Sequence, residues 1–246
     1  MSQSEYAVYV ENLSRCFGSF KAVSDVSFKV KSGEIFGFLG ANGAGKTTTI
    51  RMLCGLLMPS SGNAVIAGYN VFTDAEKIKH NIGYMAQRFS LYEDLTVKEN
   101  IEFYGGVYGL SRKQIKIKTE ELLDYLKLWD HADKLTLSLP LGWKQRIALS
   151  TALLHDPGII FLDEPTSGVD PESRRNFWTL IYQLSGKGKT IFVTTHYMDE
   201  AGFCNRLSIM KDGKIIELDQ PKVLKRKYNA NSMQKVFMSV IKGKKT

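Results

Sequence analysis

Gly40-Ala41-Asn42-Gly43-Ala44-Gly45-Lys46-Thr47 satisfies the pattern G-x-x-x-x-G-K-[ST] at every specified position, and the reading of the whole chain starts from it. Three glycines let the backbone take positive φ and turn its N–H groups inward, as a cradle for phosphate oxygens requires. Lys46 then reaches the outer phosphates, and the Thr47 hydroxyl is placed to ligate Mg²⁺. Upstream, Glu34-Ile35-Phe36-Gly37-Phe38-Leu39 predicts a buried strand, and downstream Thr48-Thr49-Ile50-Arg51-Met52-Leu53 opens a helix. Strand, glycine loop and helix in that order aim a helix N-terminus at an anion. A nucleotide site over Gly40 to Thr48 is the expectation.

A second cluster lies far downstream. Ile159-Ile160-Phe161-Leu162-Asp163 is a short apolar run of the kind that forms a buried parallel strand, and it ends in two acids, Asp163 and Glu164. Beside a phosphate loop, such an aspartate holds the metal and its neighbour polarises an attacking water. Pro165-Thr166-Ser167-Gly168-Val169-Asp170-Pro171 follows without a gap. A further β-branched strand, Thr190-Ile191-Phe192-Val193-Thr194-Thr195, delivers His196 to the position of a γ-phosphate sensor.

Taken together, Gly40 to Thr48, Asp163 to Asp170 and His196 resemble the Walker A, the Walker B with D-loop, and the switch histidine of an ABC-transporter ATPase subunit of the multidrug or antibiotic-export type. The likeness runs from about Tyr6 to Asp219, and Gln87 in Ile82-Gly83-Tyr84-Met85-Ala86-Gln87 matches that family's Q-loop glutamine. The resemblance implies an α/β fold: a P-loop NTPase (RecA-like) core with a parallel sheet, an N-terminal antiparallel β layer and an inserted helical subdomain. It implies ATP and Mg²⁺, with Thr47, Gln87 and Asp163 around the metal, and Glu164, His196 and Lys46 as the catalytic groups. Phe17 sits where an aromatic stacks on adenine, and Ser167, Gly168 and Asp170 fall in the D-loop. The partners implied are a transmembrane permease and a second ATPase subunit, identical or not, in a head-to-tail dimer. The implied location is the cytoplasmic face of the cell membrane, in peripheral contact through that partner. The competing expectations are a soluble ABC ATPase of repair, translation or assembly, and a P-loop kinase; the latter leaves Gln87 and the Asp163–Asp170 run unexplained.

One segment departs from the family pattern. Lys144-Gln145-Arg146 sets the register, so Leu139-Pro140-Leu141-Gly142-Trp143 stands where Leu-Ser-Gly-Gly-Gln is usual. Pro140 replaces the serine that would meet a γ-phosphate, Leu141 replaces the first glycine, and Gly142 survives. Proline has neither hydroxyl nor N–H, yet it suits a helix's first turn. Ser138 offers a displaced hydroxyl; the other reading is closure on ATP through Gly142 and the helix N-terminus.

Composition sets the remaining bounds. At 246 residues, 43% hydrophobic and 24% charged, the chain has the makeup of a globular domain with ample core. Cys16, Cys54 and Cys204 show no paired or metal-like spacing, which suits a reducing compartment. No run approaches the roughly 20 apolar residues of a membrane span, and Met1 to Glu5 is no secretory signal. The net charge of +8 is dispersed, so no nucleic-acid partner is expected; its local clusters, Lys222 to Lys227 and Lys242 to Lys245, read as a solvated helix face and a frayed tail, or as contact with an anionic leaflet. The expected layout is a single ABC ATPase domain over 1–246: core at about 1–87 and 145–220, helical subdomain at about 88–144, basic tail at about 221–246. Within the helical part, Thr119 to Leu128 carries Leu122, Leu123 and Leu126 at helical spacing.

Overall fold

The computed structural model describes residues 6–243. In chain order it contains β1 (Tyr6–Phe17), β2 (Phe20–Lys31), β3 (Ile35–Leu39), α1 (Lys46–Leu53), β4 (Ser61–Ile66), β5 (Tyr69–Asn70), α2 (Ala75–Asn81) and β6 (Ile82–Met85). There follow α3 (Val97–Val107), α4 (Arg112–Tyr125), α5 (Leu141–Leu153), β7 (Ile159–Asp163), α6 (Pro171–Gly186), β8 (Thr190–Thr195), β9 (Arg206–Lys211), β10 (Lys214–Asp219), α7 (Pro221–Lys227) and α8 (Met233–Ile241).

Strand composition sorts these into two sheets. β2 alternates, with Val26, Phe28 and Val30 inward and Ser27, Lys29 and Lys31 outward, as one-sided burial demands. It lies at the edge of an antiparallel sheet ordered β2-β1-β4-β5. β3, β7 and β8 are buried at every position, the pattern of parallel strands covered on both faces. They form the centre of the second sheet, ordered β10-β9-β3-β8-β7-β6 and parallel except for the β9–β10 hairpin. This is the P-loop NTPase arrangement, with a parallel core and an added antiparallel layer.

Aromatic packing joins the layers. Phe28 of β2 stacks on Phe36 of β3 at 5.4 Å, and Phe161 of β7 stacks on Phe192 of β8 at 4.6 Å. Together with Ile50, Met52 and Leu53 of α1, they form one core. The opposite face of the sheet is covered by α5 and α6, with α3 and α4 beyond α5, around Ile147, Leu149, Phe177 and Ile181.

Register sets the site. Leu39 pairs with Thr195, and Asp163 pairs with Thr194. Gly40, Glu164 and His196 therefore all emerge at the carboxyl edge of the parallel sheet, where open α/β sheets place their ligands.

The apolar spacing of Leu122 and Leu123 belongs to α4, with Leu126 as its C-cap; the helix starts at Arg112, where a capping box from Ser111 and Gln114 satisfies its first N–H groups ahead of that pattern. It stops at Tyr125, and Lys127 at φ 55° turns the chain away, while Leu128 is still buried. The solvated helix face read at Lys222 to Lys227 is α7, where Lys222, Arg226 and Lys227 are exposed, and the region read as a basic tail from 221 packs as two helices over its described part. α7 and α8 bury Leu224, Met233, Val236 and Val240 in the main core, Lys227 pairs with Glu217 at 2.6 Å, and Lys211 Nζ donates to Ile241 O at 3.0 Å. Lys244 and Lys245 lie outside the described residues.

Gly83 allows α5 to lie against β6. A Cβ there would stand 2.3 Å from Ala152 O, a backbone atom that cannot swing aside. We expect Gly83→Ala to cost about 2 kcal/mol, as forced overpacking does. That is a fall of roughly 4–8 °C in melting temperature for a chain of this size. Gly158→Ala, with no atom within 4 Å of its added Cβ, is the control and should melt near wild type.

Candidate nucleotide site

The phosphate loop is built from two kinds of glycine. Gly43 and Gly45 carry the positive φ angles, 80° and 101°. Gly40 does not share that role: a Cβ there would meet Met210 O at 2.7 Å, so its glycine is required by close approach to β9. α1 begins at Lys46 with Gly45 as its N-cap and no capping side chain, so its first N–H groups face the loop.

Lys46 is 4% exposed, and its ammonium is fully occupied. It donates to Gly40 O at 2.8 Å and Ala41 O at 3.1 Å, and it pairs with Glu164 Oε1 at 3.3 Å. The other carboxylate oxygen of Glu164 accepts from Gln87 Nε2 at 3.1 Å and meets His196 Nδ1 at 3.1 Å. Thus Lys46, Gln87 and His196, far apart in sequence, converge on the Glu164 carboxylate. Glu164 holds this position in the left-handed region, at φ 46°, which disfavours a side chain. Its N–H is tied to Thr194 Oγ1 at 2.7 Å.

Thr194 has a double role that no motif signalled. It also donates to Asp163 Oδ1 at 2.6 Å, and Thr47 Oγ1 donates to the same oxygen at 3.0 Å. Burial holds the Asp163 carboxyl above the usual carboxylate range, and the Glu164 charge adds to this; the Thr194 and Thr47 hydrogen bonds and Lys46 oppose it. A carboxylate that is 1% exposed and beside a threonine hydroxyl is a hard-oxygen donor set. It fits Mg²⁺, which binds through one or two protein oxygens and completes its shell with phosphate and water. No group of three His, Cys, Asp or Glu side chains that could hold a metal occurs among the described residues. A metal here therefore depends on phosphate oxygens.

The cleft over the loop is lined by Phe17, Ala22, Asn42, Gly43, Gly45, Lys46, Thr47, Thr48, Gln87 and Glu164, and also by Phe20. Phe17 and Phe20 face each other across the β1–β2 turn, and both are exposed. The Arg15 guanidinium covers one side of Phe17 at 4.6 Å, itself held by a 2.8 Å bond to Met58 O. Phe20 belongs to no motif and joins the cleft only through its pairing with Phe17.

The remaining sequence-read residues gather elsewhere. Pro140 is the N-cap of α5, without a side-chain cap. A Cβ on Gly142 would stand 2.8 Å from Ser173 Oγ, and one on Gly168 would stand 3.3 Å from Leu141 Cδ2. Pro140 to Gly142 and the Ser167–Asp170 turn are thus neighbours on a surface outside the cleft. The Ser138 Oγ, on the exposed approach to α5, donates to Leu135 O at 2.7 Å. Asp170 caps α6, accepting from the N–H groups of Glu172 and Ser173 at 3.0 and 2.9 Å.

The ABC transporter family pattern matches residues 23–167. The probable multidrug ABC transporter ATP-binding protein YbhF of Escherichia coli is 46% identical over 243 residues, which is 96% of this chain and 42% of that protein. This chain therefore spans less than half of that relative's length. The linearmycin resistance ATP-binding protein LnrL of Bacillus subtilis is 40% identical over 209 residues, covering 85% of this chain and 67% of that one. Among solved structures, an ATP-binding subunit of an ABC transporter superposes with a TM-score of 0.84 at 26% identity, covering 96% of this chain and 99% of the other. A dimeric ATP-binding cassette in a post-hydrolysis state, bound to ADP and Pi, superposes at 0.79 with 27% identity, covering 87% of this chain and 98% of the other.

Asp163 generates a stability prediction. Because its folded-state pKa is raised, its stabilising share is complete below the ordinary carboxylate value and is lost as pH rises through the raised one. Asp163→Asn keeps an oxygen for both threonines and removes the buried charge. Without nucleotide it should therefore melt above wild type at neutral pH, by about 2–4 °C for each kcal/mol relieved, with the gain shrinking toward acid pH. Added Mg²⁺ should no longer increase the stabilisation that ATP gives the variant. Thermal melts across pH, with and without Mg·ATP, read both effects.

Proposed function

Because the chain belongs to the ABC transporter family, we propose that it binds and hydrolyses ATP to drive export through a membrane-crossing partner. The observation that carries this reading is the meeting of Lys46, Gln87 and His196 on the Glu164 carboxylate at the mouth of the phosphate loop. No helix among the described residues is long and apolar enough to cross a membrane, which is why the translocating part is assigned elsewhere. The multidrug and linearmycin-resistance names of the relatives support export.

Each group then has a role. The γ-phosphate takes over Lys46 from Glu164 when ATP enters, which frees the carboxylate to orient and deprotonate a water. Lys46 and His196 face the charge that spreads over the phosphoryl oxygens. Thr47 and Asp163 would hold Mg²⁺, which supplies charge neutralisation across the phosphates. Phe17 offers its uncovered face to the base, with Phe20 beside it.

A nucleotide sandwiched between two such domains explains the second surface. The uncapped start of α5 at Leu141 and Gly142 presents free N–H groups, as a helix N-terminus does for phosphate, without a serine hydroxyl. This face would complete the partner domain's ATP, and this chain's own ATP would be completed by the partner.

Glu164→Gln in the complete transporter should keep ATP binding and lose about 100-fold or more of turnover, since the amide is a poor base. Lys46→Ala should instead lose thermal stabilisation by ATP. Wild-type turnover in the glutamine variant would remove Glu164 from the chemistry.

The altered signature separates two dimers. Pro140→Ser with Leu141→Gly should shift turnover strongly if two copies of this chain pair, because both sites change. With a different partner bearing an intact signature, the shift should be small. Steady-state ATPase of the purified complex, alongside the identity of its ATPase subunits, decides between them.

A further inference from the structure

Glu200 is a carboxylate that the chemistry above does not use, and it is completely buried. It lies in the short turn after β8, at Glu200–Phe203. Thr166 Oγ1 donates to its Oε1 at 2.6 Å, and Thr195 Oγ1 donates to its Oε2 at 2.6 Å. Arg174 of α6 brings Nε to 3.5 Å from Oε1, and its Nη1 lies 3.6 Å from Asp199. The same guanidinium lies 4.0 Å over the ring of Tyr197, whose ring is 4.2 Å from that of His196.

These contacts join segments with separate duties. Thr166 stands between Glu164 and the Ser167–Asp170 turn, which borders the surface of Pro140 to Gly142. Thr195 is the last residue of β8, and its Oγ1 also accepts the Tyr197 N–H at 2.9 Å, which shapes the turn that carries His196. Arg174 sits in the first turns of α6, just beyond its Asp170 cap. A buried charge is tolerated only where it is paired and hydrogen-bonded, so these groups cannot separate from one another cheaply.

We propose that Glu200 is a positioning residue that clasps the His196 turn to the Ser167–Asp170 turn, so that phosphate sensor and partner-facing loop move as one body. Loss of the γ-phosphate from His196 is then felt at the surface that meets the second domain. This rests on the reading of the chain as an ATPase that works in a closed pair. The carboxylate suits the role because it accepts from two threonines at once, each hydroxyl on its own oxygen.

The test removes the hydroxyls and keeps the volume. In the assembled transporter, Thr166→Val and Thr195→Val should each lower kcat about tenfold, as loss of a hydrogen bond to a charged group does. KM for ATP should stay within about twofold, because Glu200 touches neither the loop nor the cleft. The double variant should lose little more than either single one, the mark of a shared partner. Thr166→Ser and Thr195→Ser retain the hydroxyl and should restore wild-type kcat. Arg174→Gln, on the solvent side of the cluster, carries the same expectation and remains readable if the valine variants fail to fold.

Hydrogen exchange supplies a readout independent of turnover. With the clasp intact, amides at Ser167–Val169 and at Tyr197–Asp199 should open with one common free energy, and in the Glu164→Gln background they should gain protection together when ATP is added. In the valine or Arg174→Gln variants, the two segments should part. Unchanged kcat with exchange still in step overturns the clasp, as does a loss confined to KM or strictly additive losses. A wild-type complex without ATPase activity overturns the proposed function instead, and the exchange comparison still tests the clasp.

Discussion

A lysine ammonium buried at the end of a parallel sheet needs an anion, and that requirement organises the functional half of this molecule. Lys46, the proposed phosphate ligand, sits inside the fold and is 4% exposed, so water does not solvate it. Left unpaired, a buried charge of this kind costs about 3–5 kcal/mol. Glu164 meets the need, held by an unfavourable backbone angle and by Thr194. In the proposed function the same contact makes the site switchable: an incoming phosphate would compete with a carboxylate already in place, and the carboxylate it would displace is the group assigned to the water.

The surroundings follow from placing that pair accurately. β3, β7 and β8 are buried on both faces, which fixes their register through packing on two sides. The stacked phenylalanines hold the antiparallel layer against one face, and that layer brings Phe17 and Phe20 to the cleft. On the other face α5 approaches β6 so closely that only glycine fits at position 83. Gln145 of α5 donates to Pro165 O at 2.7 Å, which ties the helix bearing the altered signature to the loop after the acid pair. The signature surface and the catalytic edge are therefore joined through one helix, α5, whose exposed first turn carries the sequence variation and whose buried body reaches the acid-pair loop.

Legibility differed by the kind of signal. The phosphate loop, the acid pair and the histidine could be read because each is a dense run of residue types whose chemistry needs that local spacing. Their convergence followed from buried strands with motifs at their ends. The acceptor of Ser138 was not legible, because a hydroxyl near a helix start has several carbonyls in reach; the structure gives it Leu135 O. Gly40 was read for its φ and turns out to be there for close approach. The start of α4 at Arg112 lies outside the apolar pattern, because a capping box works through backbone N–H groups, ahead of any apolar periodicity. The docking of the C-terminal helices could not be read, because Leu224, Met233, Val236 and Val240 bury only against a surface made by distant parts of the chain.

Local order of residues was enough to establish the ligand class, the family likeness and the central strands, since each depends on neighbours in sequence and on burial. Pairings between hydroxyls and buried carboxylates were another matter. Thr194 with Asp163 and Glu164, and Thr166 and Thr195 with Glu200, are contacts between residues up to 34 positions apart. A threonine in a β-branched strand looks the same whether it merely packs or donates to a carboxylate. What settles it is the close-packed interior, where each buried charge must find its donors among whatever side chains the sheet register has brought within 3 Å or so.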